Sequence, residues 1–272
     1  MTTDIFKVNS EDYVGGPGRL VVADLSVPAP ERISDVVGTS APYDLKSGWR
    51  DLGATTEGIS VSRGFETEDF EVDQVYGPAD TDVTSYSHSL STQLAENNVK
   101  NRQLALVGGE IIETPAETGT GQLLAGPLAK GARNITLTTP DADFKVGGWL
   151  ELSGGELKKI ASATEGTIVL ESGVEKAYTT EDTVYPVIAL PTKRIGYGTK
   201  RDIPLHRYAV ISQKKDGSLA MTVIRKAKVT GDDKEQTYNK GKRTLPLALQ
   251  ALPEDGIRDS ENVYYEIEES IK

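Results

Sequence analysis

Residues 48–81 read GWRDLGATTEGISVSRGFETEDFEVDQVYGPADT, and residues 82–109 continue DVTSYSHSLSTQLAENNVKNRQLALVGG. In the second part, ring-bearing or apolar side chains recur at every other position from Tyr86 to Leu90. That is the period of a β-strand, so we expect a strand over 82–94. Residues 52–74 alternate less regularly and the pattern breaks at Arg63-Gly64, which favours two strands there.

A short helix is predicted directly after these strands, over 96–107. This run contains good helix formers, and Val99 and Leu106 lie seven residues apart. Asn97 or Asn98 can cap its start, and Gly108-Gly109 suits its end.

The flanking sequence adds further strands and one long loop. Residues 19–25 read as a buried strand, and 206–213, 219–229, 245–252 and 262–267 read as closing strands. Between the first strand and residue 48 lies a Pro-containing stretch, 26–46, which has no period of its own. We expect a long loop there, and a loop of that length usually has a function.

Residues 119–190 differ in composition from both sides. A Gly-rich linker over 119–131 leads into a run of short strands separated by turn signals such as Pro140-Asp141, Gly154-Gly155 and Glu165-Gly166. We therefore predict three parts: an N-terminal arm (1–18), a discontinuous β domain (19–118 and 191–272), and a linker with a small inserted β domain (119–190). Short strands and frequent turns, with 27 glycines and 13 prolines, predict a mostly β fold.

Charge and cysteine content limit the possible functions. The formal net charge of -11 argues against sequence-specific DNA binding, which needs cations to replace phosphate counterions. An acidic wall past which DNA slides remains compatible with this charge, and so does simple solubility. The chain has no cysteine, so we expect no disulfide, thiolate metal site or cysteine nucleophile.

No targeting or membrane signal is apparent. The first 18 residues contain neither a basic n-region nor an apolar h-region, and no apolar run approaches the roughly 18 residues of a membrane span. We therefore expect the chain to stay in a cytosol until it is packaged into something larger, and to have no membrane partner.

The densest group of potential acid/base residues is an acidic segment: Glu66, Glu68, Asp69, Glu71 and Asp73. Runs of this kind usually form a solvated face, so we do not assign catalysis to them. Asp80 with Asp82 and Asp141 with Asp143 open like calcium loops but lack the later Gly and Glu, so we interpret them as turns.

The sequence contains none of the residue patterns that are typical of an enzyme class. His88 and His206 are the only histidines, and neither lies in a ligand-spacing motif. A nucleophile elbow, a phosphate loop and a zincin motif are all missing from the sequence. We expect no enzyme, cofactor or metal.

Basic residues are grouped in the C-terminal half, for example at Lys193-Arg194, Lys214-Lys215 and 240–243. Such asymmetry suits head-to-tail contact between copies of one chain. It also suits edge-strand lysines that block unwanted pairing, and the sequence does not separate the two interpretations.

The order of features over 48–109 resembles the major tail proteins, or tail tube proteins, of long-tailed (siphovirus-type) bacteriophages. Those features are the Trp-x-x-Leu-Gly opening at Trp49, the Glu57-Gly58 hairpin signal, the acidic segment, the long strand, and Leu-Ala-Glu-Asn before the helix. The closing strands over 207–268 are similar more loosely. No single motif in this set is specific; the ordered set carries the resemblance.

The resemblance implies a tail-tube-type β-sandwich or barrel with one flanking helix. Six copies would form a ring around a β-barrel lumen, and stacked rings would make the tail tube through which DNA passes during ejection. Partners would be the chain itself, a tape-measure protein and tail-end proteins. The location would be the virion tail, after assembly in the host bacterial cytoplasm.

Two sets of residues take roles under this resemblance. The acidic segment would line the lumen. The loop over 26–46 would contact the next ring, through Pro28, Pro30, Arg32, Asp35, Pro42 and Tyr43.

The alternative is a non-catalytic carbohydrate- or surface-binding β module. Such modules expose aromatic platforms that stack on sugar rings. Trp49, Trp149, Tyr185 and Tyr197 are the candidates for that role.

Overall fold

The computed structural model describes residues 16–74, 76–139, 143–164, 166–199, 201–231, 235–236 and 240–269. The chain divides into a core unit, Met1–Glu110 with Ile195–Lys272, and an inserted unit, Ile111–Arg194. Each unit is built from antiparallel strands, so the predicted mostly β class is confirmed. The predicted N-terminal arm lies largely outside the described residues.

The strands are numbered in chain order. Before the inserted unit they are β1 Arg19–Asp24, β2 Trp49–Asp51, β3 Thr55–Glu71 and β4 Pro78–Leu94, followed by the helix α1 Val99–Ala105. Within it they are β5 Ile112–Thr114, β6 Glu117–Thr118, β7 Gln122–Leu123, β8 Asn134–Thr136, β9 Trp149–Leu152, β10 Glu156–Thr164, β11 Thr167–Leu170, β12 Thr183–Ala189 and β13 Thr192–Arg194. After it come β14 Leu205–Gln213, β15 Leu219–Val229, β16 Leu245–Leu252 and β17 Tyr264–Glu268.

The core unit is one sheet with the strand order β2-β1-β14-β15-β16-β4-β3, and β17 also pairs with β15. Alternate residues of its strands feed two apolar clusters, one on each face. Leu20 of β1 shares a cluster with Leu90 and Leu94 of β4, although these strands are far apart in the sheet order. The sheet therefore curls around this cluster, and α1 contributes Leu104 to it.

The second cluster is covered by the long loop between β1 and β2. Ile33, Val36 and Val37 of the loop are buried against the sheet, and a short 3-10 helix, Ile33–Asp35, forms there. The Asp35 carboxylate accepts the Glu31 and Arg32 backbone N–H groups at 3.1 and 2.9 Å. The stretch predicted as a loop is thus an irregular layer of the core.

The hairpin of β3 and β4 has two strands of 17 residues each. We predicted two strands over 52–74, and that prediction is wrong, because Arg63 and Gly64 lie inside β3 opposite His88 and Ser87. A glycine ends a strand only where its backbone leaves the extended region. The positive-φ glycine within β3 is Gly58, with φ 74°, and it coincides with a shift of register near the base of the hairpin.

Helix α1 starts later than predicted, at Val99, because Asn98 is its cap. The Asn98 side chain accepts the Asn101 backbone N–H at 2.9 Å. The buried Asn101 amide donates to the carbonyls of Leu52 and Glu96, each at 2.9 Å. This side chain joins the start of the helix to the end of β2.

The inserted unit has the strand order β6-β12-β9-β10-β11-β8, with β7 also on β12. Its own core includes Leu150, Leu152 and Ile160. The unit begins at residue 111 and ends at 194, whereas we predicted 119 and 190, because the entering strand β5 pairs with the leaving strand β13. Gly154 and Gly155, both with positive φ, make the predicted turn between β9 and β10. The other two predicted turns include residues outside the described ones.

Candidate assembly surface

The two faces of the hairpin differ sharply in chemistry. Residues directly opposite each other in an antiparallel pair lie on the same face. One face, the aromatic face, carries Val61, Arg63 and Phe65 of β3 opposite Leu90, His88 and Tyr86 of β4. The other, the polar face, carries Ser60, Ser62, Gly64 and Glu66 opposite Ser91, Ser89, Ser87 and Ser85.

The polar face continues towards the hairpin tip with carboxylates. Beyond a bulge at Glu66/Thr67, Glu68 lies opposite Asp82, and Phe70 lies opposite Asp80. All of these side chains are exposed. The polar face is therefore a strip of water-accessible hydroxyls and carboxylates, interrupted near the tip by the exposed Phe70 ring.

Rings follow one another along the aromatic face. The centroids of Phe65 and Tyr86 are 6.4 Å apart, those of Tyr86 and His88 are 6.2 Å apart, and those of His88 and Tyr264 are 5.5 Å apart. The Arg63 guanidinium lies 5.2 Å from the Tyr86 ring centroid, within cation–π range. Phe65 is 63% exposed and Tyr86 is 55% exposed. Exposed apolar rings in a row are typical of interaction surfaces.

The structure divides the five residues predicted to line a lumen between the two faces and the tip. Glu66 and Glu68 are on the polar face, whereas Asp69 is on the aromatic face, where the Thr81 hydroxyl donates to its carboxylate at 2.8 Å. Glu71 is the last residue of β3, and Asp73 follows in the turn.

The tip has no counter-charge of its own. Within the described part of the chain, none of the five carboxylates forms an ion pair with a basic side chain. The sequence contains no Lys or Arg between Arg63 and Lys100. The hairpin end is therefore a concentrated negative charge that projects from the sheet.

A groove lies beside the aromatic face, with a volume of about 840 Å³. Arg63, Tyr86 and His88 line one side, and the segment from Asp259 to Tyr264 and Glu266 lines the other. Burial, and secondly the Arg63 charge, lower the pKa of His88, so the imidazole is neutral at pH 7. Sequence analysis missed this groove because its two sides are more than 170 positions apart; the only available signal was the Tyr86–His88 alternation.

The predicted ring-stacking residues lie in the loop that covers the second cluster. Pro30 is buried, and its carbonyl accepts the Tyr265 hydroxyl at 2.5 Å. Tyr43 is half-buried, and its carbonyl accepts the Arg19 guanidinium at 2.7 Å. The exposed members of the set are Pro28, Arg32, Asp35 and Pro42.

The aromatic residues of the carbohydrate alternative are spread over both units. Trp49 is 7% exposed in the core unit, and Tyr197 of that unit is 53% exposed. Trp149 and Tyr185 are half-buried in β9 and β12 of the inserted unit. Trp149 and Tyr185 share one face of the paired strands β9 and β12, two residues out of register, but neither side chain is fully exposed.

Among the described residues, no group of three or more His, Asp or Glu side chains is positioned to hold a metal ion. Asp80 and Asp82, which we interpreted as a turn, lie inside β4 opposite Phe70 and Glu68, so that interpretation is wrong; the Asp80 carboxylate accepts the Thr81 backbone N–H at 2.9 Å. Asp143 is described, whereas Asp141 lies outside the described residues. His206 sits beside Tyr208, and burial lowers its pKa, against the opposing effect of Asp24.

Some of the C-terminal basic residues have partners within the chain. Lys193 contacts Glu113 at 2.7 Å, and Lys214 contacts Glu268 at 2.6 Å. The buried Arg207 guanidinium binds Glu254 at 2.9 Å, and Arg225 binds the same carboxylate at 3.4 Å. Lys214, Arg207 and Arg225 pair within the core unit, whereas Lys193 pairs within the inserted unit.

No helix within the described residues has the length and apolar character needed to span a membrane. A scan against models of known protein families and a search of curated protein sequences both found no match.

Proposed function

We propose that this protein is a structural subunit that assembles into stacked rings and forms the tail tube of a long-tailed bacteriophage. The observation that carries this proposal is the β3–β4 hairpin. Its distal half exposes both faces and the outer edge of a long strand, and it contributes no described buried residue between 61 and 87. A monomer gains nothing from such an element, since an unpaired edge is a site for pairing with another chain.

The two faces support a tube in particular. A wall strand of a water-filled channel needs one hydrophilic face towards the lumen and another face that packs on protein. The serines and carboxylates of the polar face suit the lumen, where acidic groups repel DNA phosphates and keep DNA from sticking. The aromatic face suits contact with protein. This arrangement retains Glu66 and Glu68 as lumen residues and moves Asp69 to the protein side.

The remaining parts of the proposal rest on the family resemblance. They are the six-fold ring, the tape-measure and tail-end partners, the passage of DNA during ejection, and the virion tail as the location. The loop over 26–46 is proposed to contact the next ring through its exposed residues, Pro28, Arg32, Asp35 and Pro42.

Negative-stain electron microscopy of the purified chain at high concentration, with size-exclusion chromatography, tests this proposal. We expect hollow tubes or six-fold rings with a central channel. A discrete small oligomer without a channel would contradict the proposal, and specific binding on a glycan array would then favour the carbohydrate-binding alternative.

The lumen assignment has its own test in phage carrying substituted tail protein. We expect Glu66→Gln with Glu68→Gln to leave tubes intact and to slow genome ejection, because fewer charges then repel the DNA. Asp69→Asn is the matched control on the opposite face and should leave ejection unchanged. Unchanged ejection in the double variant would count against the assignment.

A further inference from the structure

One edge of β17 pairs with no strand among the described residues. The Arg225 N–H donates to the Val263 carbonyl directly opposite, and the Glu269 N–H donates to the Leu219 carbonyl directly opposite. In an antiparallel pair, the residues between such positions direct their backbone groups away from the partner strand. The N–H and C=O groups of Tyr264, Glu266 and Glu268 therefore point away from β15. In the part of the chain that the structure describes, no strand pairs with this side of β17.

The unpaired edge lies along the groove beside the hairpin. Tyr264 and Glu266 line one side of the groove, and Tyr86 and His88 of the aromatic face line the other. A strand added to β17 would lie about 4.8 Å from it, within this groove. Side chains of the added strand would alternate, so that every second one meets the aromatic face.

The chemistry of the groove suits a polypeptide. The Arg63 side chain forms no hydrogen bond or ion pair among the described residues; its guanidinium lies over the Tyr86 ring, and Arg63 is directly opposite His88. Tyr and Arg are the residue types that most often dominate the binding energy of protein interfaces. Addition of an extended segment to a free strand edge is a recurring recognition mode, in which main-chain hydrogen bonds provide affinity and pockets select side chains.

We infer that this groove is a strand-addition site for an extended segment of a second copy of this chain. The inference rests on the self-assembly proposed above and names one of its contacts. Two observations favour a second copy over another protein. First, each copy also exposes the edge of β3, and contacts between unlike patches of identical subunits generate rings and helical tubes.

The second observation is area. The distal part of the hairpin is about 40 Å long at 3.3 Å per residue and about 10 Å wide, so its aromatic face covers about 400 Å². Stable interfaces bury about 800 Å² per partner. The aromatic face supplies about half of that area and the adjoining groove extends it, whereas the groove alone suits only a short peptide.

A proline at position 266 tests the main-chain contact. The Glu266 N–H points away from β15, so Glu266→Pro removes no bond of the existing sheet, and proline is tolerated where the N–H side of a strand is free. Glu266→Ala is the matched control, since it removes the same side chain and keeps the N–H. We expect E266P to unfold at the wild-type temperature and to assemble at least tenfold more slowly than E266A, which assigns that difference to the backbone N–H, since both variants lack the Glu266 side chain.

Hydrogen exchange of the wild-type chain provides a measurement that does not depend on a variant. We expect the segment from Tyr264 to Glu268 to gain protected amides when the chain assembles. If E266P assembles at the wild-type rate, and the segment from Tyr264 to Glu268 of the wild-type chain gains no protection on assembly, the inference is overturned. The tube proposal would still stand. If the wild type forms an oligomer without a channel and E266P does not form it, the result would support the inference and contradict the tube proposal. If the wild-type chain never self-associates, the inference that a second copy occupies the groove is overturned.

Discussion

A buried lysine, Lys158 of β10, is held by two carboxylates in the inserted unit. Its ammonium lies 3.3 Å from Glu156 and 3.2 Å from Glu175, and the Tyr178 hydroxyl donates to Glu156 at 2.5 Å. Desolvation opposes the charged forms, but the hydrogen bonds outweigh it, so the pKa of Glu156 is lowered and that of Lys158 is raised. A buried charge that loses its partner is strongly destabilising.

We therefore expect Lys158→Met to lower the free energy of unfolding by about 3 kcal/mol, because Glu156 then stays buried without its cation. Lys159→Met is the matched control. Lys159 contacts Glu171 at 2.8 Å with both side chains about half exposed, so its loss should cost less than about 1 kcal/mol. Chemical denaturation of the full chain measures both, and equal effects would contradict the buried network.

The same network predicts an acid-sensitive inserted unit. The folded pKa of Glu156 is below its unfolded value of about 4.5, so its contribution is present above pH 4.5 and is lost as the pH falls through the folded pKa. Lys158 has a raised pKa, so its contribution is lost only at alkaline pH. We expect Glu156→Gln to make the unfolding temperature less dependent on pH below about 4.5 than in the wild type. Parallel pH curves for the two proteins would show that other carboxylates dominate.

At the scale of elements, the hairpin separates folding from assembly. Its base belongs to the core, since Leu90 and Leu94 are buried, whereas its distal half exposes both faces. Stability should therefore depend little on the distal half. Assembly should depend on it strongly.

Shortening the hairpin tests this separation. We expect replacement of residues 66–85 by Asn-Gly, a two-residue hairpin turn between Phe65 and Tyr86, to change the free energy of unfolding by less than about 1 kcal/mol. The same variant should form no tubes by electron microscopy. A shortened chain that still forms tubes would show that the hairpin does not build the wall, and a large loss of stability would place it in the core.

Sequence periodicity predicted the elements of the core better than the surface. The strands over 219–229 and 245–252 are present with the predicted bounds; burial alternates along the second strand, whereas both faces of most of the first strand are buried. The break in the pattern at Arg63-Gly64 led to the wrong prediction of two strands, because the sequence does not show whether a glycine backbone is extended. The groove was beyond prediction, because β17 meets Tyr86 and His88 only through the topology of the sheet.

At the scale of the whole molecule, the distribution of charge opposes association. The net charge is -11, and the hairpin end between residues 66 and 82 holds seven carboxylates, including Asp80 and Asp82, without a cation. Copies that bring their hairpins together must therefore overcome repulsion between like charges. Salt screens such repulsion, since the Debye length falls from about 10 Å at 0.1 M to about 3 Å at 1 M.

We expect the rate of assembly, followed by light scattering, to rise with salt between about 0.05 and 0.5 M. Replacing Glu66, Glu68, Asp80 and Asp82 by their amides should raise the rate at low salt and flatten its salt dependence, because all four exposed carboxylates share the polar face. The same number of amide replacements at exposed carboxylates of the inserted unit is the control for net charge alone. If assembly instead slows with salt, attraction between the acidic tip and basic residues such as Lys240 and Lys242 outweighs the repulsion, and copies would then meet head to tail through opposite charges.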